Sequence, residues 1–335
     1  MRNAGEPTVS VCMPVYNGSK YIGASIESVL GQTYKDFRLI VCDNCSTDDT
    51  PDIVKKFKDS RLQYIRNEKN LGLVGNQNRC IEVAETKYVN IWHDDDIMMP
   101  ENLEKKIGIL ETNSHVGLVF SNVERIDESG KPFPYIWHEE CERDYIKEGK
   151  AIFQKYLETM HRGALFFIGS VVARKECMVR AGGFRPDYSP LTCDSELWLR
   201  MLLLTDGACL GEPLVKYRQY EGSTTSQYYG IHFLEEHFKV VERVFSECRD
   251  QIPDWKTLRK EVDERFMKEA LLRGLRTCNL NDFEMAHKCL VWTRRFSQDF
   301  VRNKDYWRLR LRLGMGARGL KLCRSAKTKL KRVFV

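Results

Sequence analysis

The chain has 335 residues, of which 42% are hydrophobic and 30% are charged, and its formal net charge is +6. This composition is sufficient for a substantial core and argues against wholesale disorder, and the length suggests about two domains. The longest apolar stretch without a charge, residues 163–173, is too short to cross a bilayer, and residues 1–7 lack the apolar core of a secretory signal. We therefore expect neither a transmembrane nor a secreted protein.

The positive charge is concentrated at the C-terminus. Residues 302–335 contain twelve Lys or Arg and one acid, a net charge of +11, which leaves −5 for the other 301 residues. The basic character is therefore a property of the tail, and the rest of the chain is mildly acidic.

Twelve cysteines are scattered through the chain. Only Cys42 and Cys45 form a C-x-x-C pair, and no second pair completes a four-ligand zinc site. We expect the reduced thiols of a cytoplasmic protein rather than a disulfide scaffold.

Hydrophobic periodicity and turn residues predict that strands and helices alternate through the first 122 residues. In chain order we predict a strand over residues 9–16, a helix over 21–30, a strand over 37–41, a helix over 50–57, a strand over 62–65, a helix over 74–84, a strand over 88–92, a helix over 101–110 and a strand over 116–122. Thr50 and Pro51 are interpreted as the N-cap and the first residue of the second helix. The alternation is typical of an α/β protein with a Rossmann-like, mostly parallel sheet flanked by helices.

The second half is less regular. We predict a strand over residues 166–173, a turn over 182–184, a helix over 194–204 and a strand over 214–220. From residue 231 onward the pattern is helical, which predicts a helical C-terminal extension. We place one domain at residues 1–230, with parts 1–125 and 126–230, and a helical region with a basic tail at residues 231–335.

Polar residues follow three of the predicted strands. They are Tyr16-Asn17, Asp43-Asn44 and the run from His93 to Asp96. Ligands of parallel sheets bind outside the carboxyl ends of the strands, so these residues are the first candidates for a binding site. No G-x-G-x-x-G and no P-loop follows the first strand, which argues against the usual NAD and ATP binding modes.

The run His93-Asp94-Asp95-Asp96 is the strongest single pattern. Mg²⁺ and Mn²⁺ prefer carboxylate oxygens and commonly bridge a protein carboxylate to a diphosphate. The alternative is a solvated acidic turn that caps the helix near Pro100.

Four stretches together resemble the family 2 glycosyltransferases, whose fold is GT-A. They are Pro14-Val15-Tyr16-Asn17, the segment from Cys42 to Asp48, Asn70-Leu71-Gly72, and the segment from Asp194 to Arg200. The resemblance spans residues 8–226 and implies an inverting transfer of a sugar from a nucleotide diphosphate, with UDP- and dTDP-sugars favoured, to a glycan or lipid-linked acceptor in cell-surface polysaccharide synthesis.

The resemblance also implies a role for individual residues. Asp95 would bind Mn²⁺ or Mg²⁺, Asp194 would be the catalytic base, and Arg218 would belong to the loop that meets the donor diphosphate. The residues implied to bind the nucleotide are Pro14, Val15, Tyr16, Asn17, Asp43, Asn76 and Asp94. Among them Asp43 would contact the nucleobase, and Asp94 or His93 would lie near the ribose or the metal. In these terms residues 1–125 bind nucleotide sugar and metal, and residues 126–230 carry the acceptor side and the base.

Other interpretations stay open at this point. Asp43 can cap its own turn, Asp194 can be a plain helix N-cap, and Glu196 is the second candidate for the base. The chain departs from the family pattern at His93, where an aspartate is common, at Gln77, where an arginine is common, and at Tyr220, where a histidine is common. At the level of function, the alternatives are an inactive nucleotide- or glycan-binding protein with the same fold, and a metal-dependent nucleotidyltransferase.

The C-terminal tail alternates arginines with aromatic and aliphatic residues from Tyr306 to Leu313. This pattern suits an anionic membrane surface, and we expect a cytoplasmic protein held peripherally at the inner face of the plasma membrane. Nucleic acid is the competing partner for a basic segment, but no nucleic-acid-binding motif accompanies it, so none is expected. A solvated or disordered end is the remaining alternative.

Overall fold

A nine-stranded sheet organises the first of two units in this computed structural model. The structure describes residues 7–133, 139–223, 225–228, 230–296 and 301–316. The first unit comprises Met1–Tyr156 and Ala164–Ser226, and the second comprises Leu157–Gly163 and Gln227–Val335.

The strands follow the chain as β1 (Val9–Val15), β2 (Phe37–Asp43), β3 (Leu62–Arg66), β4 (Tyr88–Ile91), β5 (Ile97–Met98), β6 (Val116–Ile126), β7 (Tyr145–Lys147), β8 (Val172–Arg174) and β9 (Asp206–Arg218). Their order in the sheet is β3-β2-β1-β4-β8-β6-β9-β5, and β7 pairs with β9. Strands β1, β2, β3, β4, β6 and β9 run in one direction, whereas β5, β7 and β8 are antiparallel to their neighbours. The sheet is therefore mostly parallel, as the alternating pattern predicts.

The helices of the first unit are α1 (Ile22–Leu30), α2 (Thr50–Lys56), α3 (Gly72–Val83), α4 (Asn102–Thr112), α5 (Gly149–Thr159), α6 (Lys175–Arg180) and α7 (Cys193–Leu202). The crossovers through α1 and α2 each lead to the adjacent parallel strand, and the crossover through α3 leads from β3 to β4, which pairs with β1 in parallel. Helix α5 ends three residues beyond the bounds of this unit.

The register brings the carboxyl ends of β1, β2 and β4 to the same edge of the sheet. Val15, the last residue of β1, pairs with Asp43, the last residue of β2, and Cys12 of β1 pairs with Ile91, the last residue of β4. The polar residues that follow these strands consequently share one edge of the sheet.

The nine predicted elements of the first 122 residues are all present, with ends that differ by a few residues. The predicted N-cap at Thr50 is wrong: Asp49 precedes the helix, and the Thr50 hydroxyl instead accepts the N–H of Gly18 at 2.9 Å. Tertiary contact with the first turn outweighs local capping here.

The predicted strand over residues 166–173 is wrong in most of its length. Only Val172–Arg174 forms β8, between β4 and β6, and Ile168–Ser170 forms a 3₁₀ turn before it. The stretch is apolar because it is buried, not because it is extended. The predicted strand over 214–220 begins earlier, at Asp206, because β9 pairs along most of β6.

The second unit contains the helices α8 (Ile231–Cys248), α9 (Trp255–Asn279) and α10 (Phe283–Trp292), and residues 304–316 are also helical. Its core includes an aromatic cluster in which the ring of Phe238 lies 5.1–5.4 Å from the rings of Phe266, Trp292 and Phe296. No helix within the described ranges has both the length and the apolar character needed to span a bilayer. The predicted helical extension is confirmed for these residues, while residues 317–335 of the predicted basic tail lie outside the described residues.

A lysine lies inside the first unit. Lys106 of α4 is fully buried, its Nζ donates to the carbonyl of Ser170 at 2.7 Å, and burial lowers its pKa to about 7. Because the unfolded chain holds this proton up to the ordinary value of 10.5, it binds more protons than the folded chain between pH 7 and 10.5, and stability rises with pH in that window.

We predict that Lys106→Met raises the melting temperature more at pH 6 than at pH 9. At pH 6 the buried lysine is charged, and the methionine removes the cost of burying that charge, which is on the order of a few kcal/mol. At pH 9 the lysine of the folded wild type is neutral, so its destabilising effect is smaller. Thermal unfolding across this range measures the difference. The neighbouring Lys105, which is partly exposed and paired with Glu212, provides the control variant Lys105→Met. An equal effect of Lys106→Met at both pH values would contradict the prediction.

Candidate active site

The turn after β1 is attached to the loop after β2. Asn17 has a left-handed backbone (φ 55°), its N–H donates to Ser46 Oγ at 2.9 Å, and its Oδ1 accepts the N–H of Thr47 at 2.8 Å. The N–H of Ser19 donates to Asp48 Oδ2 at 3.0 Å. Pro14 and Val15 lie in the strand beneath this turn, and the Tyr16 side chain is 51% exposed above it. Two sequence-predicted segments therefore form one rigid corner.

Asp43 lies inside that corner with no exposed surface. Its Oδ1 accepts the N–H of Ser46 at 2.8 Å, and its Oδ2 accepts the Tyr64 hydroxyl and Arg66 Nη1, the latter at 2.9 Å. Arg66 also donates to the carbonyl of Ser46 at 2.8 Å. The carboxylate thus caps its own turn and is also held by two side chains of β3, which sequence reasoning did not identify.

Asn76 belongs to a buried network of amides behind the same corner. Its Nδ2 donates to the carbonyl of Cys42 at 2.8 Å, and its Oδ1 accepts from Asn67 at 2.9 Å. Asn67 in turn donates to Asn44 Oδ1 at 3.1 Å, and Asn44 donates to Asn70 Oδ1 at 2.8 Å. Both ends of the Asn76 amide are used inside the protein, so the structure places this residue beneath the corner.

The acidic run, His93 to Asp96, begins two residues after β4. His93, Asp95 and Asp96 each offer a ligand atom, and these three atoms lie within 4.8 Å of one another. Asp96 is fully buried, and burial together with the charge of Asp95 raises its pKa well above the ordinary value. The same two effects raise the pKa of Asp94 to about 8.

A divalent cation fits these residues. Asp96 Oδ2 is buried and has no hydrogen-bond partner within the described residues, and His93 Nδ1 lies 4.0 Å from it. An ion coordinated by both atoms would satisfy that oxygen and offset the mutual repulsion of the carboxylates. Carboxylate oxygens such as those of Asp95 and Asp96 suit Mn²⁺ and Mg²⁺. The sequence pointed to Asp95, whereas the closeness of the Asp96 carboxylate to the other two ligand atoms is visible only in the structure.

Asp94 closes the acidic run against the first turn. A Cβ on Gly18 would lie 1.9 Å from Asp94 Oδ2 and 2.7 Å from Val15 Cγ2, so only glycine leaves room for this carboxylate. The position of Asp94 beside residues 15–18 agrees with the predicted proximity of these two motifs.

Arg218, at the end of β9, holds the acidic run in place. Its backbone N–H donates to Asp96 Oδ1 at 2.8 Å, and its Nε donates to the carbonyl of Asp95 at 2.8 Å. Nη1 reaches the carbonyls of Asp127 and Glu128 at 3.2 and 3.1 Å. The side chain is only 7% exposed, so the guanidinium is used largely within the protein.

Asp194 lies in the first turn of α7, which begins at Cys193 after Thr192. It is therefore not the N-cap of that helix. Burial raises its pKa to about 6, although the N–H groups of Ser195 and Ile168 hydrogen-bond to it and oppose the shift. A carboxylate with this pKa is matched to proton abstraction near neutral pH.

Glu196, the second candidate for the base, has a structural partner set. Its two oxygens accept from Arg200 Nε at 2.7 Å and Nη2 at 2.6 Å, and Arg185 lies 3.1 Å away. Because this carboxylate is 1% exposed and held by two arginines, it is poorly placed to accept a substrate proton. Gln77, at the position where the family often has an arginine, accepts from Cys193 Sγ at 3.5 Å, beside Asp194.

The turn before β8 links Asp194 to the acidic run. Ile168 offers its N–H to Asp194, and the neighbouring ring of Phe167 lies 6.3 Å from that of His93 and 4.9 Å from that of Tyr217. Asn90 fastens this turn by donating to the carbonyls of Gly169 and Val171. Sequence reasoning assigned these residues to a strand and so missed their role at the site.

Tyr220 lies at the same edge. Its ring is 5.1 Å from that of Tyr21, and burial together with the charges of Asp95 and Asp94 raises the pKa of its hydroxyl. The hydroxyl is consequently a hydrogen-bond donor at neutral pH, beside the carboxylates.

Comparison with known proteins decides the family. The model of "Glycosyl transferase family 2" matches residues 10–176. EpsE of Bacillus subtilis, which is named as a glycosyltransferase, is 37% identical over 204 residues, covering 59% of this chain and 67% of EpsE. The chain belongs to glycosyl transferase family 2.

Other relatives match over shorter parts of their length. A glycosyltransferase of Methanocaldococcus jannaschii is 39% identical over 160 residues, which are 47% of this chain and 54% of that protein. WfaP of Escherichia coli, named as a UDP-Glc:alpha-D-GlcNAc-diphosphoundecaprenol beta-1,3-glucosyltransferase, is 38% identical over 104 residues, which are 31% of this chain and 41% of WfaP. The chain thus spans about half the length of these two relatives.

Solved structures show the same fold. TarS 1–349 of S. aureus, in complex with UDP-GlcNAc, has a TM-score of 0.56 at 18% identity and covers 86% of this chain and 92% of TarS 1–349. The mannosyltransferase PcManGT of Pyrobaculum calidifontis, in complex with GDP-Man and Mn²⁺, has a TM-score of 0.58 at 17% identity and covers 93% and 85%. The family 2 glycosyltransferase described here therefore has the GT-A fold that its motifs predict.

For this transferase we predict a rate that depends on the protonation of Asp194. Because burial raises its pKa, the carboxyl is protonated below about pH 6, and kcat/KM should fall about tenfold per pH unit below that value and level off above it. Initial rates across this range measure the profile, and the stability of the fold at each pH is the control. A rate that is independent of pH through this region would exclude Asp194 as the titrating base.

We also predict that Gly18→Ala weakens nucleotide binding by about tenfold or more, because the new methyl displaces Asp94 and Val15 from the corner. Titration calorimetry with a nucleoside diphosphate and Mn²⁺ measures the affinity. Gly108→Ala in α4 is the matched control, since a Cβ there meets no atom within 4 Å. Equal affinities of the two variants would contradict the predicted role of this contact.

Proposed function

We propose that this family 2 glycosyltransferase transfers a sugar, with inversion, from a nucleotide-diphosphate donor to a hydroxyl of a glycan or lipid-linked acceptor. The observation that carries the proposal is Asp194: a buried carboxylate with a pKa of about 6, joined through the 167–168 turn to an acidic run that fits a divalent cation. A base and a site for the leaving diphosphate are the two functions that such a transfer requires.

In the proposed reaction, Asp194 takes the proton of the acceptor hydroxyl as the hydroxyl oxygen bonds to the anomeric carbon. The bond between that carbon and the diphosphate oxygen breaks on the opposite face, so the configuration inverts and a nucleoside diphosphate leaves. A bound Mn²⁺ or Mg²⁺ would supply neutralisation of the charge on the diphosphate. Positioned base catalysis of this kind contributes roughly 10²–10⁴-fold to the rate.

The proposed binding roles follow the geometry. Asp95, with His93 and Asp96, would hold the metal, and Asp94 would lie near the ribose. The nucleobase would bind in the corner formed by Pro14, Val15, Tyr16, Asn17 and Asp43. Asn76 would support this corner from beneath. Arg218 would act on the diphosphate chiefly by holding the carbonyl of Asp95, since most of its donors are already used there.

Donor and acceptor classes are supported by the relatives. WfaP is named for a UDP-sugar donor and a diphosphoundecaprenol acceptor, and TarS was solved with UDP-GlcNAc. We propose a UDP- or dTDP-sugar donor for this chain and a place in cell-surface polysaccharide synthesis. In this arrangement, residues 1–230 form the transferase domain, and the helical region of residues 231–335 attaches the cytoplasmic enzyme to the inner face of the membrane.

The proposal is tested with the full chain and panels of nucleotide sugars and acceptor hydroxyls, with and without Mn²⁺. The measurements are the released nucleotide, the configuration of the product, and the thermal shift produced by UDP, dTDP and GDP. We expect release of a nucleoside diphosphate and an inverted product, with a thermal shift by UDP or dTDP that requires the metal.

Asp194→Asn should lower kcat by roughly 10²–10⁴-fold and keep the nucleotide-induced thermal shift, whereas Asp95→Asn should lose the metal-dependent part of that shift. Asp250→Asn is the control, because this carboxylate is 93% exposed and lies in the second unit. Release of pyrophosphate would identify a nucleotidyltransferase, and full transfer by Asp194→Asn would exclude the proposed base.

A further inference from the structure

The helix of residues 304–316 has one face that packs against the core of the second unit. Tyr306 is 5% exposed and Leu309 has no exposed surface, and both belong to a core cluster with Leu271, Cys278, Ala286 and Leu290 of α9 and α10. Leu313 and Met315 pack against the same cluster. These contacts anchor the helix to the second unit and fix which side of it faces outward.

The outward side carries large apolar side chains. Trp307 is 53% exposed and Leu311 is 65% exposed, and their spacing of four residues places them on one strip of the helix. The indole N–H of Trp307 donates to the carbonyl of Val301 at 2.7 Å, and the Val301 side chain is itself 42% exposed. The polar atom of the tryptophan is therefore satisfied locally, and its ring presents mainly apolar surface.

A fourth exposed apolar side chain lies at the end of α9, whose last residue, Asn279, contacts this helix. Leu280 is 70% exposed, and the preceding residue, Asn279, accepts from Arg312 Nη1 at 3.1 Å. Arg312 also reaches the carbonyl of Leu275 at 3.4 Å. The helix thus lies against the end of α9, and the described surface of Val301, Trp307, Leu311 and Leu280 is termed the apolar strip.

The exposed charges of residues 301–316 are of one sign. Exposed cations stand along the helix and just before it, at Arg302, Lys304, Arg308 and Arg310. The guanidinium of Arg310 lies 5.4 Å from the centre of the Trp307 ring, so a positive charge directly adjoins the apolar surface. The single acid in the described residues 301–316 is Asp305, which is 9% exposed and pairs with Arg308 at 3.0 Å.

The combination of charge and apolar surface selects among partners. A duplex or single-stranded nucleic acid would be bound by the cations alone, with aromatic stacking at most, and gives no reason for exposed leucines and a valine. An anionic bilayer uses both features, because aliphatic and tryptophan side chains insert at the headgroup level while basic residues stay at the charged surface. The sequence beyond residue 316 adds seven Lys or Arg and no acid, which continues the same charge.

We propose that the apolar strip, with the cations around it, docks the second unit on an anionic lipid bilayer. The inference rests on the proposed function, because a lipid-linked acceptor requires the enzyme to work at a membrane surface. It assigns the contact to named side chains of the second unit in addition to the basic tail.

The test is sedimentation of the full chain with vesicles of phosphatidylcholine alone and of equal parts phosphatidylcholine and phosphatidylglycerol. We expect binding to the anionic vesicles that weakens with added salt, and little binding to the neutral ones. The double variant Trp307→Ser with Leu311→Ser should bind anionic vesicles at least about tenfold more weakly than wild type. Val179→Ser is the matched control, because Val179 is 57% exposed but lies in the first unit, and it should bind as wild type does.

Insertion of Trp307 is followed separately by fluorescence. Wild type should show a blue shift and quenching by brominated lipids, and Trp307→Phe should lose most of that signal while still sedimenting with the vesicles. Unchanged sedimentation of the double variant, equal binding to neutral and anionic vesicles, or retention by nucleic acid and not by lipid would each overturn the inference.

The two proposals fail in distinguishable ways. The rate of sugar transfer to a short, water-soluble acceptor should be the same for the double variant and wild type. Trp307 and Leu311 belong to the second unit, whereas Asp194 and the acidic run belong to the first. Loss of vesicle binding with intact transfer supports the docking surface. Vesicle binding without any sugar transfer by wild type would instead exclude the proposed function.

Discussion

The site depends on the parallel register of β1 with β2 and β4. Because Val15 pairs with Asp43 and Cys12 pairs with Ile91, three strands end at one edge of the sheet, and the turn at Asn17, the loop after Asp43 and the run from His93 to Asp96 are brought together there. Buried hydrogen bonds then lock the first two segments into a corner, and the absence of a Cβ at Gly18 lets Asp94 close against it. A shift in this register would separate all three segments at once.

The price of gathering carboxylates at a buried edge is electrostatic. Asp94 and Asp96 both have raised pKa values because they are removed from water and face Asp95. Arg218 relieves part of this cost through its backbone N–H, yet Asp96 Oδ2 keeps no partner within the described residues. A preorganised acceptor without a partner in the protein is well suited to a cation that arrives with a diphosphate. The electrostatic cost of burying these carboxylates in the folded chain would therefore be offset when such a cation binds.

Several features were predictable because they depend on local sequence. The alternating strands and helices of the first 122 residues follow from periodicity and turn residues, and the motifs at Pro14, Asp43, Asn70 and Asp194 were sufficient to indicate the family. The stretch before β8 was not predictable in the same way. A buried 3₁₀ turn and a buried strand are equally apolar, and only the contacts of Phe167, Ile168 and Asn90 decide between them.

The sequence by itself determined the alternating strands and helices of the first 122 residues, the family and the position of the acidic run, because each depends on residues that are adjacent or evenly spaced in the chain. The tertiary structure decided which candidate side chains are already held by partners inside the protein. It committed Glu196 to Arg200 and Arg185, used Asn76 beneath the corner, and revealed Asp96 as a buried acceptor. It also showed that the helix of residues 304–316 has one face packed against α9 and α10 and another that exposes Trp307 and Leu311. Burial and pairing depend on residues far apart in the chain, and for that reason no local pattern could have shown them.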